Sequence, residues 1–188
     1  MTATDGLTYG FDELYPALGM LVVASADMES RLRYVVSELA GGDTVWIIFE
    51  GQSVECLVQN GIAVLGQLEP AKRWPQENSD RIRDALRTAL DANRLRNLMV
   101  HGDWRTDCVD WETCVARPSS GPADHRIFHV CRSRYRKGFE ERQVAVCDVE
   151  ALAEKMWSLE RELRESMKAA VDAWLGRKPE VVTDAPPS

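Results

Sequence analysis

Between Asn93 and His101 the chain sets an amide, a guanidinium, a second amide and an imidazole close together: Asn93, Arg96, Asn97 and His101. An imidazole titrates near neutral pH and can take or give a proton. A guanidinium stays charged and offers a planar fork of donors that matches phosphate oxygens. An amide can orient either group. Together these side chains suit proton transfer beside an anion. The plainer reading of the same residues is a satisfied hydrogen-bond network in which His101 caps a helix end.

These residues belong to the third of four long helices predicted from apolar periodicity. The first runs from about Phe11 to Ala40, with Leu14, Leu18, Leu21, Met28, Leu32, Val35 and Leu39 on one stripe and Gly41-Gly42 as its stop. The second spans Ser53 to Leu68, and Thr44–Glu50 before it reads equally as a strand or a helical turn. Pro70 and Pro75 bracket a connector. The third helix starts near Asn78 or Ser79, taken as N-caps, and ends at His101 before Gly102. Short strands follow at Val109–Arg117, Arg126–Arg134 and Gln143–Val149, with turns at Pro118–Pro122 and Arg136-Lys137-Gly138. Asp148 then caps a last helix that ends at Gly176.

The expected fold is mainly α: an antiparallel bundle of four to five helices with a small antiparallel β insertion, about residues 109–149, between the third and fourth long helices. Residues 1–176 read as one domain and 177–188, rich in proline, as a disordered tail.

On a helical wheel that starts at Ile82, Ala85, Leu86, Ala89 and Val100 keep to one face. Asn93 falls roughly 20° and Asn97 roughly 60° from the same line, so the apolar stripe turns polar in its last two turns. Leu95 and Leu98 fall on the opposite, charged face. They are scattered surface residues, or they lie beneath the β insertion or at a subunit interface. Arg96 and His101 differ by about 140° on the wheel. Long side chains, a frayed last turn or a second subunit must close that gap.

Composition narrows the class. Of 188 residues, 45% are hydrophobic and 28% charged, as in an ordinary globular protein, and no apolar run is long enough to span a membrane. The N-terminal MTATDGLTYG lacks the basic and apolar regions of a secretory signal, and five irregularly spaced cysteines do not form a disulfide framework. A cytoplasmic location is expected. The net charge of −7 argues against wholesale nucleic-acid binding. Yet residues 70–140 carry 14 Lys/Arg against 10 Asp/Glu, whereas the rest carries 9 against 20. The middle of the chain is locally basic, which suits an anion site.

The run Arg96-Asn97-Leu98-Met99-Val100-His101-Gly102 resembles the signature of HEPN domains: an arginine, usually followed by a polar residue, then a histidine after four to six intervening residues, here four. The resemblance implies a bundle of four or five helices with the motif near the end of one. It also implies a metal-independent endoribonuclease without cofactor that leaves 2′,3′-cyclic phosphate and 5′-hydroxyl ends. The partners implied are an RNA substrate, a second copy of the chain sharing a composite site, and a cognate antitoxin or phage-defence component. Arg96, His101 and Asn97 would be catalytic, Asn97 orienting the imidazole, the scissile phosphate or Arg96, with Asn93 in support. Glu29, midway along the first helix, is a candidate partner for Arg96. The alternative is a non-catalytic HEPN-like module, such as an antitoxin or adaptor. The β insertion departs from the minimal bundle.

Two weaker patterns lie in the insertion. Arg132, Arg134, Tyr135, Arg136 and Lys137 could hold and stack an RNA strand, or form a charged edge strand. His125, His129 and Cys131, near Cys108 and Cys114, lack the Cys-x-x-Cys spacing of a zinc site and read better as packing residues, so no metal is assigned.

Overall fold

The computed structural model describes residues 11–42, 44–105, 127–134 and 138–177. Among them are five α-helices and one three-stranded antiparallel sheet: α1 (Leu14–Ala40), α2 (Trp46–Phe49), α3 (Val54–Leu68), α4 (Gln76–His101), β1 (Asp103–Arg105), β2 (Ile127–Arg134), β3 (Gly138–Ala145) and α5 (Val146–Trp174). A 3-10 turn, Glu69–Ala71, follows α3. The predicted class, helices with a small sheet between the third and fourth long ones, is what forms. No described helix is long and apolar enough to cross a membrane.

The helix boundaries follow local chemistry. After α1, Gly41 and Gly42 take φ of 133° and 87°, which a side chain would resist. Ser53 caps α3 by accepting from the Cys56 N–H. The ambiguous Thr44–Glu50 stretch contains α2.

Three expectations need correction. α4 starts at Gln76, directly after Pro75, so Asn78 and Ser79 are buried within its first turn rather than capping it. The Ser79 hydroxyl is engaged instead, accepting from the Trp74 indole N–H at 3.0 Å. The last strand is Gly138–Ala145, not Gln143–Val149, because α5 begins at Val146. Asp148 does cap that helix, but from inside its first turn, by accepting the Ala145 N–H at 2.8 Å. The expected strand at Val109–Arg117, the turn at Pro118–Pro122 and the tail beyond Arg177 lie outside the described residues. The strand that pairs with β2 on that side is β1, unforeseen, with Asp103 opposite Cys131 and Arg105 opposite His129.

The chain divides into two compact units. One comprises residues up to 30 with 89–159, the other 31–88 with 160 onward. The second unit buries Leu32, Val36, Leu57, Leu65, Ile82, Leu86 and Leu163. Gly61 lets α3 approach its neighbours: a Cβ there would lie 3.0 Å from Leu86 Cδ1 and 3.1 Å from Val36 Cγ2. Arg31 ties α1 to α5 through Glu160 at 2.8 Å.

The first unit carries the sheet. In register, Phe128, Val130 and Val144 turn one sheet face inward, and all three are buried. Phe128 meets Trp104 edge-on and Phe11 at ring-centroid distances of 5.9 and 5.3 Å. The close fit of sheet to helix rests on Gly102. A Cβ at that position would overlap both the Val130 side chain and the Leu98 carbonyl. Gly102 therefore does more than stop α4; it lets β2 cross the helix end.

Candidate functional site

Burial along α4 changes direction near its end. Ile82, Ala85, Leu86 and Ala89 are buried as the wheel requires, but Ala92, Leu98 and Met99 then take over. Leu98, placed by the wheel on the charged face, is only 1% exposed. The Leu98 carbonyl and Val130 of β2 both crowd the space a Cβ on Gly102 would take, so the sheet reaches the helix end beside this leucine. Val100 is half-buried, not core. The turn of the apolar face leaves Asn93, Arg96 and Asn97 half-buried and His101 exposed. Here the polar residues line an accessible end of the helix and avoid the cost of full burial.

Arg96 is the hub. Its Nε donates to Ser25 Oγ on α1 at 3.1 Å, and its Nη1 donates to Asn97 Oδ1 at 3.0 Å. The same Nη1 lies 3.4 Å from His101 Nε2. The 140° gap on the wheel is thus bridged within one chain by the length of the arginine side chain. Because a guanidinium can only donate, the contact places the imidazole lone pair on Nε2 and its proton on Nδ1. Partial loss of hydration, then the charges of Arg96 and Arg132, push the pKa of this largely accessible imidazole below its ordinary value near 6.5. That direction favours the neutral imidazole.

Two side chains from the sheet secure the end of α4. Arg132 Nη1 donates to the Asn97 carbonyl at 2.7 Å, and Trp104 Nε1 donates to the Met99 carbonyl at 2.7 Å. Of the basic run proposed to hold a strand, Arg132 joins the site. The Arg134 side chain and residues Tyr135, Arg136 and Lys137 lie outside what the structure describes.

Ser25 was not foreseen. Its Oγ donates to the Val22 carbonyl at 2.8 Å, which orients its lone pairs toward Arg96. The one signal for it was a buried hydroxyl in the apolar stretch Leu21-Val22-Val23-Ala24-Ser25. Glu29, the expected partner of Arg96, stands half-buried one turn beyond Ser25 on α1. Among the described residues, Ser25 and Asn97 accept from the guanidinium, and both are neutral.

The chain, compared with models of protein families, with curated proteins and with solved structures, matches none of them.

A separate cleft of about 720 Å³ runs between α4, β3 and α5, with Leu95, Met99, Val144 and Leu152 on its walls and Arg94 and Lys155 among its charged residues. Neither Arg96 nor His101 lines it. Elsewhere on the sheet, His129 is buried and its Nδ1 lies 3.0 Å from Glu141 Oε1. Burial and the nearby Glu141 carboxylate raise the pKa of the buried Cys131 thiol. Among the described residues, no three His, Cys, Asp or Glu side chains converge as a metal site. His125, Cys108 and Cys114 lie outside those residues.

Proposed function

We propose that this chain is a HEPN-type, metal-independent endoribonuclease whose reacting groups are Arg96 and His101. The observation that carries the reading is the 3.4 Å contact between Arg96 Nη1 and His101 Nε2, beside a guanidinium otherwise held by neutral acceptors. A neutral imidazole within reach of a charged fork is what transesterification of RNA requires.

An arriving phosphate draws the guanidinium to its oxygens and exposes the Nε2 lone pair. His101 then takes the proton from the ribose 2′-hydroxyl. The 2′-oxygen bonds to phosphorus, the bond from phosphorus to the 5′-oxygen breaks, and the leaving oxygen takes a proton. Arg96 stabilises the negative charge that builds on the phosphorane. The products are a 2′,3′-cyclic phosphate and a 5′-hydroxyl. Asn97 holds Arg96 in place, and Asn93 stands one helical turn before it in support.

A second copy of the chain completes the site in this reading and adds its own Arg96 and His101 to the shared cleft; the leaving oxygen takes the proton that His101 drew from the 2′-hydroxyl. The exposed side of α1 supports such a pairing. No charged residue occurs from Leu14 to Ala26, and Tyr15, Met20, Val22 and Val23 are exposed. This helix also supplies Ser25. A role as a toxin or phage-defence effector, restrained by an antitoxin or another component of its system, fits this activity.

The test is cleavage of RNA by purified protein in EDTA, alongside Arg96→Ala and His101→Ala variants. The expected result is cleavage without metal and a loss on the order of 100-fold or more in each variant. Activity that needs added metal, or that survives both substitutions, overturns the proposal. A stable inert complex with another chain instead supports the non-catalytic module.

A further inference from the structure

The sequence offers no obvious reason for a β insertion in a helical protein whose reacting pair lies on one helix. The structure supplies one at Arg132. In β2, Val130 and Arg132 point to the same sheet face, and that face meets the end of α4 where Gly102 permits close approach. From there the Arg132 guanidinium donates to the Asn97 carbonyl at 2.7 Å. Asn97 is the residue whose side chain holds Arg96. Asn97 is therefore one link between the insertion and the reacting pair.

We propose that Arg132 is a positioning residue of this site: it pins the end of α4 at Asn97 and keeps a second cation beside the Arg96–His101 pair. The inference rests on the reading of that pair as the reacting groups. It assigns the β insertion a part in the site, beyond the helical motif itself.

The consequence is electrostatic as well as structural. His101 faces Arg96 from its own helix and Arg132 from β2. The other charged groups nearby on the sheet include Asp103 and Arg105, bound to each other at 2.8 and 2.9 Å, and Glu140, opposite Arg132 in register. Two guanidiniums beside one imidazole favour its neutral form, the form that accepts a proton.

The experiment reads the His101 imidazole of the full chain by NMR across pH, in the wild type and in R132Q, R132M and R132K. The two neutral variants guard against one that fails to fold, with folding checked by circular dichroism. In R132Q and R132M the His101 midpoint moves up toward that of an ordinary histidine, whereas R132K, which keeps the charge, stays closer to wild type. Cleavage of a labelled RNA oligonucleotide in EDTA is followed in parallel. The neutral variants lose about tenfold or more in rate, and the acid limb of their pH profile shifts to higher pH. A His101 midpoint and pH profile unchanged in the neutral variants overturn the role of Arg132 and leave the nuclease reading intact. A wild type inert toward RNA defeats the nuclease reading instead, while the NMR arm still decides whether Arg132 governs the imidazole.

Discussion

At the candidate site, pH acts on the imidazole of His101. Its pKa is depressed by partial loss of hydration and by the two guanidiniums. An unfolded chain binds a proton at its ordinary pKa, near 6.5, more readily than the folded one does. The native state consequently holds its full stability above that pH and loses part of it as pH falls through the folded value. His101→Gln is expected to remove that part of the acid-side slope. Thermal melts from roughly pH 7 to 5 check this, and an unchanged slope contradicts it. Ser25→Ala provides a finer probe. It removes the acceptor for Arg96 Nε and leaves the charge, so cleavage slows by roughly tenfold, less than for Arg96→Ala. Equal losses in the two variants would show that Ser25 does more than orient the guanidinium. Of these residues, Arg96, Asn97 and His101 were legible from type and spacing. Ser25 was not, because a serine in an apolar helix carries no mark of its partner 71 positions away.

At the level of elements, α4 and the sheet depend on two close fits. Gly102→Ala forces a methyl group against Val130 and the Leu98 carbonyl. The expected cost is about 1–3 kcal/mol, from overpacking at a site that cannot relax without moving β2. Denaturant unfolding measures it, and a neutral result means the helix end and strand separate freely. Asp148→Ala removes the acceptor for the Ala145 N–H at the start of α5, with an expected loss of about 1 kcal/mol. The helices were predictable because their stripes repeat over many turns, so small errors in boundary do not hide them. The strands were harder. β3 carries the charged run Glu140-Glu141-Arg142 on a sheet edge, where charge discourages further strand pairing and erases the apolar alternation used to recognise a strand. β1, three residues long, is too short for any periodicity to mark.

For the whole molecule, the uncharged exposed side of α1 carries the expectation about assembly. Val23, 55% exposed, is the position to alter. Val23→Glu is expected to leave the fold intact, shift the protein from dimer to monomer in light scattering, and lower cleavage together with the dimer fraction. A wild type that is monomeric and fully active would remove the second copy from the mechanism. The contact between Arg96 and His101 within one chain already shows that the pair does not need a second subunit merely to meet.

The sequence by itself determined the helical class, the long helices, the glycine stop after α1 and the placing of Arg96 and His101 near the end of one helix. These follow from local spacing and local backbone preference, which the chain carries wherever it goes. Only the tertiary structure decided that Leu98 is core, that the polar end of α4 stays accessible, and that Ser25 and Arg132 reach the same cluster. Those outcomes depend on which surface covers which: a strand crossing the end of a helix redirects the buried face of that helix. No periodicity within the helix can encode where a residue distant in the chain will come to rest.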